Sequence, residues 1–160
     1  MSETIIGYIN SLPREELIAL EHEVQEKTPF GFKFTDELQL FNYPKGKFQR
    51  SDIVKFVISD SNESPTATIL LEEEDYDPGD ESETDFQARF PSVLKDRIVE
   101  ITKIIRSILQ KDSVRELGFS VSLCDQIEQV KYSTIGLFEN ILVEDCMNMC
   151  PPNILYLIDK

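Results

Sequence analysis

The sequence contains no tryptophan, a single histidine and only three cysteines in 160 residues. Cys124, Cys146 and Cys150 are an odd count without disulfide-framework spacing, and no Cys-x-x-Cys pair is present. That argues against a disulfide-stapled scaffold and against a zinc site. In a reducing compartment the three stay thiols, and a buried one acts as a small hydrophobe. Cys146 and Cys150 share a face if their segment is helical, but four zinc ligands would also require Cys124 and His22, every soft ligand of the chain. His22 sits between Glu21 and Glu23 on the charged side of its segment, where an exposed surface role is expected. A general base needs an oriented partner, and none can be named. The six glycines are scattered, so no Gly-rich phosphate loop exists.

Long apolar runs are missing too. Thr68 to Leu71 and Ile154 to Ile158 are far shorter than the ~20 residues of a membrane span. The start, Met1-Ser2-Glu3-Thr4, carries an acid where a secretory signal carries positive charge. The expectation is a cytoplasmic protein without membrane attachment. Positive charge is the last scarcity: 16 basic residues face 30 acidic ones, a formal net of −14. Such a surface repels phosphate backbones and anionic headgroups, so direct nucleic-acid binding is disfavoured and a basic protein partner favoured.

What the sequence does contain is core-forming material. The apolar share is 41%, with ten phenylalanines and five tyrosines, which argues against wholesale disorder. At this length a chain buries roughly two-thirds of its unfolded surface, consistent with one domain over 1–160. The opening reads as two helices. The first is a short apolar run from Thr4 to Ile9. The second covers 13–27, with Pro13 in its first turn, Glu15 and Glu16 complementing the dipole, and Leu17, Leu20 and Val24 on one stripe. Pro29 ends it.

The period then changes to two. Phe30, Phe32 and Phe34 alternate with Gly31 and Lys33, and Leu38 to Asn42, Ile53 to Ser59 and Thr66 to Leu71 follow as further strands. Turns at 35–37, 43–47 and 61–65 join them into an expected antiparallel meander. The clearest helix spans 91–111, where Leu94, Ile98, Ile101, Ile105 and Ile108 step by four, three, four and three. Lys95, Arg97, Lys103 and Arg106 fill its other face. A strand at 119–124 is expected to pair with 128–133 through a turn at Asp125-Gln126. Residues 135–149 suit a helix better than a strand, and 153–158 a final buried strand. The fold class is α+β: an antiparallel sheet of about five to seven strands with helices 13–27 and 91–111 on one face.

Residues 72–85 interrupt this order, because nine of the fourteen are acidic and none is basic. Self-repulsion and the lack of apolar anchors predict a mobile, solvated loop. Asp75, Asp77 and Asp80 begin like a calcium loop, but Gly79 stands where an oxygen ligand belongs and Phe86 where the bidentate Glu belongs. No cofactor is implied. The loop reads either as a solubilising segment or as a docking arm for a basic partner, since carboxylates opposed to a Lys/Arg cleft speed encounter and set specificity. The contact region would be Glu72, Glu73, Glu74, Asp75, Asp77, Asp80, Glu81, Glu83 and Asp85, with Tyr76 as an aromatic anchor. Lys45, Lys47, Arg50 and Lys55, interleaved with Tyr43, Phe48 and Phe56, form the one locally basic-aromatic stretch. It is read as a hairpin flank that neutralises the acids rather than as a clamp for single strands.

Size, acidity and the helix–meander–long-helix layout resemble the immunity proteins of bacterial toxin–immunity systems, including those of contact-dependent inhibition. The resemblance implies a cytosolic, non-enzymatic antitoxin that blocks the active site of its toxin, most naturally a nuclease domain. Two other readings stay open. One is a non-enzymatic adaptor. The other is a small-molecule-binding domain or enzyme whose pocket lies between sheet and helices, with Tyr132, Glu128 and Cys124 as polar groups. The sequence leaves the oligomeric state open.

Overall fold

The computed structural model describes residues 3–35, 50–59, 94–123, 127–149 and 151–160. Among these the order is β1 (Glu3–Asn10), α1 (Arg14–Lys27), β2 (Gly31–Phe34), β3 (Ile53–Ser59), α2 (Leu94–Leu109), β4 (Leu117–Leu123), β5 (Gln129–Thr134), α3 (Phe138–Asn148) and β6 (Ile154–Asp159). The strands form one sheet, β2-β3-β1-β4-β6-β5. Every neighbouring pair is antiparallel except β5 and β6, which are parallel. The α+β class follows, with three helices beside a mostly antiparallel sheet.

The opening segment is not a helix. Residues 3–10 form β1, paired on both sides, with Ile5 opposite Ile58 of β3 and Val121 of β4. Ile5 and Ile9 face one side of the sheet, Ile6 and Tyr8 the other, and all four are buried. β-branched and aromatic side chains suit a pleated strand covered on both faces, and that double burial removes the alternation that would mark a strand. α1 begins where expected. Pro13 stands just before its first turn and its carbonyl accepts the Leu17 N–H at 3.1 Å. The Thr28 hydroxyl accepts the Phe30 N–H at 3.2 Å where the chain turns into β2. The expected meander does not form around 53–59: β3 pairs with β2 on one side and with β1 on the other, rather than with 38–42 and 66–71, which lie outside the described residues.

The expected pairing of 119–124 with 128–133 does not form either. β6 inserts between β4 and β5, so β5-α3-β6 is a parallel crossover unit. Asn153 directs the insertion: at φ 58° it occupies the left-handed region that Asn tolerates. Its N–H donates to Val121 O at 3.0 Å and its carbonyl accepts the Glu128 N–H at 2.8 Å. Two backbone bonds therefore seat the start of β6 between its neighbours.

All three helices cover one face. Leu20 and Val24 of α1, Ile98, Ile101 and Ile105 of α2, and Phe138 and Leu142 of α3 share one core with Ile5, Ile9, Phe56, Phe119 and Tyr156. Full burial of each such side chain contributes roughly 1.5–3 kcal/mol. A smaller cluster on the opposite face joins Ile6, Tyr8, Ile53, Val57 and Leu155. Arg97, expected on the polar face of α2, is fully buried, because it lies three residues after Leu94 and four before Ile101. α1 and α2 run antiparallel: Glu23 pairs with Lys111 towards one end, and Thr28 lies beside Glu100 and Lys103 towards the other. Ser59, where β3 ends, and Leu94, where α2 begins, therefore stand at the same end of the sheet.

Candidate functional site

The ten residues expected to contact a partner, Glu72, Glu73, Glu74, Asp75, Tyr76, Asp77, Asp80, Glu81, Glu83 and Asp85, lie outside the described residues. The nearest described residues on either side, Ser59 and Leu94, are both buried. His22 is exposed, its Nδ1 3.4 Å from Glu26 Oε1 one turn along α1. Cys146 is fully buried on α3, facing the sheet beside Phe138 and Leu142, while Cys124 and Cys150 lie outside the described residues. Among the described residues no three His, Cys, Asp or Glu side chains converge as metal ligands. Of the basic-aromatic stretch, Phe56 is buried in the core and Arg50 is engaged by carboxylates; Tyr43, Lys45, Lys47 and Phe48 lie outside the described residues. Tyr132 and Glu128 do not line an interlayer pocket. Both are exposed, and Tyr132 points to the face opposite the helices, since its neighbour Lys131 reaches α3.

Arg50 fastens one end of the sheet. Its Nε and Nη2 donate to the two Asp52 oxygens at 2.9 and 2.6 Å, and its Nη1 and Nη2 to the Glu116 oxygens at 3.3 and 2.7 Å. A guanidinium held bidentately by two carboxylates stays charged, and the same bonds hold the Asp52 carboxyl below its ordinary range. Asn10 completes the knot. Its Oδ1 accepts the N–H groups of Arg115 and Glu116, and its Nδ2 donates to Ser113 O at 2.9 Å. The exit of β1 is thus tied to the approach to β4, and Ser11 N–H adds a 2.9 Å bond to Asp52 O before β3. No sequence spacing announced this cluster, because its members lie up to 106 residues apart.

A second polar cluster sits within the β5-α3-β6 unit. Asp145 accepts Lys131 Nζ at 2.7 Å and the Tyr156 hydroxyl at 2.8 Å. Burial first, then the bond to this carboxylate, raises the Tyr156 pKa and keeps the phenol a donor. The ring of Tyr156 packs against Phe119 and Phe138, with centroids 6.4 and 5.6 Å away. The cluster locks α3 onto the sheet.

Surface features differ between the two edges of the sheet. At β2 the outward backbone groups are capped by α1. Gln25 Oε1 accepts the Phe32 N–H at 2.9 Å, Glu21 Oε2 accepts the Phe34 N–H at 3.0 Å, and Gln25 Nε2 donates to Phe30 O at 2.6 Å. At β5 no described strand pairs with the outer edge, where the one side-chain bond among the described residues is Ser133 Oγ to Thr134 O at 3.1 Å. Val130 is 41% and Tyr132 75% exposed there, and Leu137, Met147 and Met149 of the same unit are also exposed. A groove of about 440 Å³ runs between α1 and β2, floored by Leu17, Phe34 and Val54 and flanked by Arg14 and Lys33. Among the described residues no helix is long and apolar enough to cross a membrane. Compared with known proteins, the chain matches no family model, no curated protein and no solved structure.

Proposed function

We propose that this protein is a non-enzymatic inhibitor of the immunity type, acting in the cytoplasm on a basic partner such as a toxin nuclease domain. One observation carries the reading: of a net charge of −14, nine negative charges fall within residues 72–85, where no basic residue offsets them. A concentrated array of carboxylates imitates the charge density of a phosphate backbone, which is what a nuclease cleft is built to receive. Such an array steers a basic partner into encounter and repels acidic competitors. Tyr76, in the middle of the acids, supplies a large side chain to fill a pocket at the contact. Occupation of the cleft then excludes the substrate by competition, which needs no catalytic group on the inhibitor.

The test is capture of partners from the source cell's lysate, washed at low and then high salt, followed by stopped-flow binding of the captured protein. Replacing Glu72, Glu73 and Glu74 by Gln and Asp75 by Asn should slow association about tenfold or more at low ionic strength, with the difference shrinking in high salt. Unchanged kinetics would remove this segment from the contact. A neutral partner that resists salt would instead support an adaptor.

A further inference from the structure

We propose that β5 pairs antiparallel with β5 of a second copy of this chain, joining two sheets edge to edge about a two-fold axis. The contrast between the edges motivates this. An unprotected edge strand is a template for another strand, and proteins ordinarily blunt it. Here β2 is blunted by Gln25 and Glu21 of α1, whereas among the described residues no strand pairs with the outer edge of β5, which carries two exposed apolar side chains, Val130 and Tyr132.

The occupant is read from the pattern of β5 itself, Gln129-Val130-Lys131-Tyr132-Ser133-Thr134. Centred on Lys131, a two-fold pairing sets Val130 opposite Tyr132 of the second copy, and Tyr132 opposite its Val130. Opposed residues in an antiparallel pair share a face, so both pairs form on the side away from the helices and cover the exposed apolar surface twice. The same register sets Gln129 against Ser133 and Glu128 against Thr134, leaving no acid opposite an acid. The like-charged pair on the axis is Lys131 with its symmetry mate, and each ammonium already sits 2.7 Å from its own Asp145. The antiparallel arrangement also brings the end of α3 that carries Met147 and Met149 to the side of the second copy's Leu137.

Electrostatics permits this despite the net charge. β5 carries no acidic residue. A six-residue strand pair is at the small end of specific interfaces, so monomer and dimer should interconvert within an accessible concentration range.

Sedimentation equilibrium of the full chain from micromolar to submillimolar concentration tests the proposal. The wild type should show a reversible monomer–dimer equilibrium. Amide hydrogen exchange at 129–134 should slow as concentration rises. Val130→Lys and Tyr132→Lys, both at exposed positions and checked for retained helical circular dichroism, should each weaken the dimer about tenfold or more, because every dimer loses two cross-strand pairs. A wild type that stays monomeric throughout, or a dimer that neither substitution weakens, would overturn it. The inference is independent of the inhibitor reading.

Discussion

Gly118 lies opposite Tyr8 across the β1–β4 ladder, and a Cβ at that position would run into the Tyr8 ring. A Cβ at Gly7 would likewise meet the ring of Phe56 and the Gly118 carbonyl. These two glycines are therefore space-makers for buried aromatics rather than turn residues. Gly118→Ala should cost about 1–3 kcal/mol through overpacking, read as a lower urea midpoint with an unchanged slope. Tyr8 itself reports on pH. Burial, followed by the nearby Glu116 carboxylate, pushes its pKa from 10.0 up to about 12. Between those values the unfolded chain has already released the phenol proton while the folded chain retains it, so stability falls as pH rises through that window. Tyr8→Phe should flatten this alkaline loss in urea titrations; an unchanged slope would mean that Tyr8 does not drive it.

At the scale of elements, α2 was legible as a helix and in its apolar stripe, though not in the burial of Arg97. A four-three-four-three apolar step over sixteen residues has one physical reading, and the helix lies with that stripe in the core. β1 was not legible, because Ile5, Ile6, Tyr8 and Ile9 are apolar on both faces and a continuous short run does not distinguish a central strand from a buried helix. The cap on β2 was also invisible. Gln25 reads as a polar helix residue until the fold brings Phe30 and Phe32 within reach of its amide. Gln25→Ala should cost about 1–2 kcal/mol by orphaning two backbone groups. Lys27→Ala removes only an exposed ion pair with Glu23 and should cost well under 1 kcal/mol. Thermal melts of the two variants side by side would show whether the edge cap or the surface charge matters more.

For the molecule as a whole, composition and pattern alone determined the α+β class, the sites of α1 and α2, the described strand segments after residue 30, and the acidic excess with its concentration at 72–85, while 135–149 suited a helix without excluding a strand. These are properties of local period and of summed charge, and each is set by residues adjacent in the chain. Strand order, the insertion of β6 between β4 and β5, the Arg50 knot and the inequality of the two sheet edges were decided only in three dimensions. Each depends on which distant segments meet. Pairing energies between strands are similar for many partners, so the choice falls to the joint burial of both faces and to a few long-range hydrogen bonds, such as those of Asn153 and Asn10, that no local window contains.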